Sequence, residues 1–300
     1  MFCRTMAALL AATLALGPGL GQAAPLTATE IMTQFNAVVS GSFTSNSDVE
    51  GRLVANTITG GATFYNNPSN TPSSFGAINA ITVTSGVTSA NVNNGGNVNI
   101  QGSNAGSFNL NGGAMVNTPA FTIGDFTAPL TALSGDLAGL APNSTVNAAD
   151  PNSFTFIVTP NAQGLAVFTL DAGLLATARD LKFSGTADTI VINVTGTSFT
   201  DTANFNAGNF INQHVIWNFT EAQTLDFQRA WHGAVLAPQA TVSNSTPLEG
   251  FLFALNFNGR GELHDRPFAG TLPQLVPEPG TLALLGTGLI GICLSRRRRA

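Results

Sequence analysis

The chain has 300 residues, of which 44% are apolar and only 9% charged, where about a quarter charged is usual. Abundant Phe, Val, Ile and Leu with so little charge excludes a disordered tail and predicts an ordered, β-rich body. Between the terminal segments, six cationic side chains face fifteen acidic ones, a net −9. A nucleic acid is therefore repelled, and no basic stripe is visible to bind one.

Residues 1–23 read as a secretory signal peptide. Arg4 supplies the positive charge, Met6 to Leu16 the apolar stretch, and Gly21-Gln22-Ala23 the small residues before a cleavage site. Residues 24–275 then form one domain, a length that suits an all-β fold. Cys3 and Cys293 are the only cysteines and both fall in the terminal segments. The body therefore has no disulfide, no cysteine metal ligand and no thiol nucleophile.

Thr27-Ala28-Thr29-Glu30 is a capping box. Ile31, Phe35, Val38 and Val39 follow at helical spacing, which predicts a short amphipathic helix ending at Gly41. Leu53 to Gly124 contains no Asp, Glu, Lys, Arg or His. Its apolar residues alternate as Ile81 and Val83, Val98 and Ile100, Phe108 and Leu110, all predicted to point inward. Gly/Asn turns separate them. Such short strands fit rungs of a right-handed parallel β-solenoid, with Asn and Thr laddering between rungs; a β-sandwich is the alternative. Thr127-Ala128-Pro129 opens a second helix, whose Leu130, Leu133, Leu137 and Leu140 form a stripe for packing along a sheet. Strands are then predicted at 154–158, 165–170, 189–195, 214–219, 234–242 and 248–255. Several are apolar throughout, as in strands covered on both faces.

Chemistry-bearing residues are sparse. His214, His232 and His264 have no zinc-like spacing or paired helical register, and read as surface or packing residues. Asn46, Asp48 and Glu50 alternate in a stretch that reads as a structural turn rather than a Ca²⁺ loop, with Glu50 and Arg52 a solvated pair. Trp217, Trp231 and Tyr65 are the only rings suited to strong sugar stacking. No catalytic residue, metal ligand or cofactor site is assigned, and the chain is not expected to be an enzyme.

The C-terminal segment, 276–300, carries Pro277-Glu278-Pro279, an apolar run from Thr281 to Leu294, and Arg296-Arg297-Arg298-Arg299. As a helix the apolar run spans about 21 Å, short of a roughly 30 Å hydrocarbon core, and the arginines should stay cytoplasmic. In this order the three parts resemble a PEP-CTERM sorting signal. The resemblance implies Pro277, Glu278, Pro279 and Arg296 to Arg299 as the signal and a Gram-negative envelope. It also implies processing by an exosortase after transient anchoring in the inner membrane, and a link to exopolysaccharide and biofilm matrix. The body, through Phe35-Asn36-Ala37-Val38-Val39-Ser40-Gly41, Ser47-Asp48-Val49-Glu50-Gly51-Arg52, Val215-Ile216-Trp217-Asn218-Phe219, Gly233 to Ala240, Leu248-Glu249-Gly250 and Pro267-Phe268-Ala269-Gly270, resembles choice-of-anchor A domains. More distantly its second half is similar to bacterial ice-binding solenoids. These likenesses imply an exported surface or matrix protein with a structural or adhesive role. The first alternative is a binding module for polysaccharide or an ice-like surface, using a flat Thr/Asn-bearing face; a polysaccharide-active enzyme, for which only the second half has titratable groups, ranks last.

Overall fold

The computed structural model describes residues 25–205 and 207–272. Helix α1 (Ala28–Gln34) is capped as its sequence predicts: Thr27 accepts from the Glu30 N–H, and the Glu30 carboxylate accepts from the Thr27 N–H at 2.7 Å. It stops earlier than the apolar spacing implies. Val38 and Val39 belong to the strand Ala37–Ser45, where Val39 faces one apolar cluster and Val38 the other. Adjacent β-branched residues buried on both sides favour a strand over a helix. Asn36 fixes the junction, donating to the Gly250 and His264 carbonyls while accepting from the Gly51 N–H.

The protein is mainly β, and among the described residues pairings between strands are parallel except that of Thr145–Asn147 with Phe154–Ile157. The principal sheet runs, in spatial order, Leu165–Asp171, Thr189–Thr195, Val215–Asn218, Ala234–Asn244, Leu252–Gly259, then Ala37–Ser45, Leu53–Ile58, Ile78–Val83, Val98–Ile100 and Met115–Val116. Strand Ala37–Ser45 is thus held between the last strand of the second half and the next of the first. Smaller parallel ladders join Trp231–His232, Leu248–Glu249 and Leu263–His264, and Ala90–Val92 with Phe108–Leu110. Bridges from Val49 to Leu263 and Phe64, and from Phe64 to Val92, connect these two ladders. After each circuit the chain lies beside its previous pass, which hairpins could not achieve.

In Leu53–Ile58, Ile78–Val83, Ala234–Asn244 and Leu252–Gly259 the chain turns a corner midway, and inward alternation changes phase there. In Ile78–Val83 the core takes Ile78, Ala80 and Val83; Ile81 packs in the outer cluster instead. The inward placement expected for Ile81 is therefore wrong, because the corner falls between Ala80 and Val83. Val98 and Val83 are fully buried, while Ile100, Phe108 and Leu110 are partly buried against the same core. At another corner Gly233 (φ 105°) and Gly250 (φ 154°) stack. A Cβ on Gly250 would stand 2.4 Å from the Gly233 carbonyl oxygen, so both the conformation and the space demand glycine.

Helix α2 (Gly124–Ala138) lies across the principal sheet and buries Phe126, Leu130, Leu133 and Leu137. The strands beneath it are buried on both sides: Ile190, Ile192 and Val194 face the inner core, while Val191 meets the helix cluster. Two buried asparagines interrupt these apolar strands and dock the helix. Asn218 donates to the Ser134 carbonyl and to Asn193 Oδ1 and accepts from Ser134 Oγ (2.6 Å), while Asn193 donates to the Leu137 carbonyl. The Leu137 carbonyl lies in the last turn, where helix carbonyls lack internal partners.

Candidate functional site

Beyond the bend, seven strands present their outward side chains in two columns. Parallel register aligns Ser198, Thr224, Thr241 and Asn256, and, in the first half of the chain, Ser42, Thr57 and Thr82. Two residues further on stand Thr200, Asp226, Ser243, Asn258, Thr44, Thr59 and Thr84. The join between halves is tight, since Asn256 Oδ1 accepts from the Ser42 N–H at 3.0 Å. Neighbours also bond sideways: Asn256 Nδ2 to Thr241 Oγ1, Ser243 Oγ to Asp226 Oδ1, and Thr44 with Thr59. The residue between each pair (Phe199, Leu225, Val242, Phe257, Phe43, Ile58 or Val83) is buried and anchors it. Standard strand geometry spaces the columns at about 4.8 Å across strands and about 6.7 Å along them. One carboxylate apart, the surface carries only hydroxyls and amides. Its signal in the sequence is a polar–apolar–polar tripeptide repeated seven times, as in Thr57-Ile58-Thr59, Thr82-Val83-Thr84 and Asn256-Phe257-Asn258.

A second ordered surface is the asparagine ladder expected between rungs. Asn111 donates to Asn93, Asn93 to Asn66 and Asn66 to Asp48 Oδ2, all at 2.7–3.0 Å. Asp48 thus ends a ladder. Nearby Glu50 is buried, contrary to the solvated Glu50–Arg52 pair expected from sequence. Its carboxylate accepts from the Asp265 N–H and pairs with Arg266 at 3.3 Å, whereas Arg52 donates to the Gln34 and Thr71 carbonyls and to the Tyr65 hydroxyl. Parallel stacking of distant passes explains the difference, because the pass carrying Glu50 lies beside the one carrying Arg266.

That seam also holds His264, between Glu249 (2.6 Å) and Glu262 (2.7 Å), with Arg266 Nε 3.1 Å from Glu249. The bond to Glu249, opposed by burial and aided by Glu262, raises the His264 imidazole to about 9. Burial alone would raise Glu249, but His264 and Arg266 outweigh it and hold the carboxyl below its usual range. His232 bonds to Asn212 and is lowered by burial; His214 stacks on Phe210 and meets the Asp188 carbonyl. His232 and His264 thus flank Glu249 on one parallel ladder. Asn46, Asp48 and Glu50 do not converge, and among the described residues no cluster of His, Cys, Asp and Glu is arranged to hold a metal. Trp217, Trp231 and Tyr65 are buried, so they offer no stacking platform. Pro277, Glu278, Pro279 and Arg296 to Arg299 lie outside the described residues. Among the described residues no helix is long and apolar enough to cross a membrane.

The body is thus mainly parallel β, with regular polar columns along one side. Residues 28–265 match the ice-binding-like adhesive domain, and the chain belongs to that family. Residues 275–299 match the PEP-CTERM protein-sorting motif. Neither family is enzymatic. With a sorting motif behind an adhesive domain, this is an exported surface protein with an adhesive role. Among solved structures, the ice-binding protein of the Antarctic ascomycete Antarctomyces psychrotrophicus aligns at 12% identity and a TM-score of 0.37, covering 80% of this chain and 97% of that one. A search of curated proteins finds no match.

Proposed function

We propose that the Ser/Thr/Asn columns are the adhesive surface, carried on a right-handed β-solenoid whose register keeps them in place. The carrying observation is that seven strands from both halves of the chain align the same polar pair. A single hydroxyl or amide contact contributes only about 0.5–1.5 kcal/mol. A rigid array makes many contacts without ordering loops, so little of that gain is lost to entropy. Such an array suits a repetitive partner, here the polysaccharide of an envelope or biofilm matrix. Its spacing favours one second reading, an ordered water surface such as ice.

Residues 1–23 direct export. Residues 24–275 are the working domain, of the choice-of-anchor A kind, and the segment from 276 is its anchor. Pro277-Glu278-Pro279 with Arg296 to Arg299 is the exosortase signal, and its apolar run holds the protein in the inner membrane until cleavage. No cofactor, nucleic acid or catalytic residue enters this scheme.

The test replaces Thr57, Thr82 and Thr224 with lysine in the exported protein and measures its retention on native matrix, with thermal hysteresis as a parallel readout for ice. These partly or fully exposed positions should leave folding stability within roughly 0.5 kcal/mol per site. Retention should fall while the melting temperature holds. Retention equal to the parent's would refute the assignment of this face.

A further inference from the structure

Six cationic side chains are found among the described residues, and three are engaged. Lys182 pairs with Asp180, Arg266 with Glu50 and Glu249, and Arg52 with two carbonyls and Tyr65. The others, Arg179, Arg229 and Arg260, are exposed, with no ionic partner among the described residues. Far apart in sequence, they share one edge of the fold. Arg229 and Arg260 line a groove with Gln228, Ser245, Asn258 and Asp226. Arg229 and Arg179 line a second with Thr202 and Asn204. Thr202 and Arg229 belong to both, so the grooves continue as one trough.

Strand pairing gives its direction. Gly259 pairs with Asn244, Asn244 with Phe227, Phe227 with Asp201, and Asp180 bridges to Asn204. The trough therefore runs across the strands. Its arginines stand two passes apart, about 9.5 Å from one to the next at standard strand spacing.

We propose that this trough binds a linear acidic polysaccharide with a carboxylate on alternate sugars, one at each arginine. A guanidinium fork matches a carboxylate in two parallel hydrogen bonds. The interval between arginines is close to the disaccharide length of an extended β-linked glycan. Between the arginines, Gln228, Ser245, Asn258, Thr202 and Asn204 supply the amides and hydroxyls that sugar hydroxyls require. Asp226 sharpens the choice. Its carboxylate is held by Ser243 Oγ (2.7 Å) and Gln228 Nε2 (2.8 Å) rather than by an arginine. It lines the groove on the same pass as Arg229 and repels further negative charge there, which disfavours polymers charged on every unit, nucleic acids and heavily sulfated chains among them. The proposal deepens the adhesive reading but rests on a different surface from the polar columns.

The experiment uses the exported full chain with four probes: hyaluronate, a neutral β-glucan, dextran sulfate and oligothymidylate. Hyaluronate should bind in a salt-sensitive way, and Arg229→Gln and Arg260→Gln should each weaken it by roughly tenfold. Arg229→Lys should recover part of the loss. These exposed changes should leave the melting temperature unchanged. Thr57→Val with Thr82→Val should leave hyaluronate binding intact. If that variant loses it while the arginine variants keep it, the glycan sits on the columns; the trough proposal then falls and the adhesive reading stands. No hyaluronate binding by the parent overturns the proposal. Dextran sulfate or oligothymidylate bound as tightly, with the same arginine dependence, overturns it too, since charge alone would then suffice.

Discussion

Replacing Asp201 with Asn isolates one electrostatic cost. Asp201 is 1% exposed; its Oδ1 accepts from the Ala203 N–H at 3.0 Å, and its Oδ2 has no partner among the described residues. Burial raises its carboxyl from 3.8 to about 7, against smaller opposing effects from the Ala203 and Arg229 amides and the Arg229 charge. The folded state therefore keeps this proton up to about pH 7, while the unfolded chain releases it near pH 4. Between those values the folded state binds more protons, so stability falls as pH rises and levels off above 7. Three units correspond to roughly 4 kcal/mol. Asparagine keeps the Oδ1 acceptor and the volume but cannot ionise. Its unmatched amide N–H costs about 1–3 kcal/mol, as does the unmatched carboxyl proton of the parent at low pH. The two proteins should therefore be near equal at pH 4.5, with the variant ahead at pH 8 by up to about 4 kcal/mol. Urea unfolding across this range, read by the fluorescence of buried Trp217 and Trp231, measures both. An advantage that does not grow with pH would refute the buried, raised carboxyl.

Two further expectations concern the seam and the helix. His264, raised to about 9, stabilises fully below its unfolded value of 6.5, and that contribution is lost as pH rises through 9. His264→Gln should therefore lower the urea midpoint at pH 6 and change it little at pH 10; equal losses at both would show a neutral packing role. Asn218→Ala strips partners from the Ser134 hydroxyl and carbonyl and from Asn193. At about 1–3 kcal/mol per buried unsatisfied group it should cost several kcal/mol, with part of the loss absorbed when Ser134→Ala is added. Simple additivity of the two substitutions would deny the coupling.

Local features of the fold were legible because their causes are local. The Thr27–Glu30 box, the leucine stripe of α2 and the apolar runs at 165–170 and 189–195 all lie where the sequence places them. The charge-free stretch does form short parallel strands, and its asparagines do ladder. What the sequence hides depends on pairing. Ile81 and Val83 look like one alternating face until the corner between Ala80 and Val83 separates them. Thr57-Ile58-Thr59 looks like ordinary alternation, and only register with Ser42, Thr82 and Asn256 makes it part of an array. Arg229 and Arg260 read as isolated charges until Phe227, Asn244 and Gly259 align. Glu50 sits two residues from Arg52, yet its partner is Arg266, reached because distant passes stack.

That stacking order also sets the C-terminal side of the domain apart from the two surfaces proposed to bind. Built in simple chain order, a stack of ten strands would leave its first and last about 43 Å apart. Here Ala37–Ser45 fits against Leu252–Gly259, so the two ends of the body meet in the middle of the principal sheet. The Phe268 N–H donates to the Met32 carbonyl, Thr33 Oγ1 donates to the Phe268 carbonyl, and Leu26 and Leu272 both pack against the helix cluster. A segment leaving after residue 272 therefore starts beside α1 and α2, over strand halves whose outward residues are already buried. The Ser/Thr/Asn columns lie past the bend in those strands, and the arginine trough borders them at Asp226 and Asn258. Helix α2 makes the arrangement possible. At 15 residues it is about 22 Å long, enough to carry the chain back across four or five strands from the end of the first half towards the start of the second. Holding the protein by its C-terminal side thus leaves the array and the trough open to a partner.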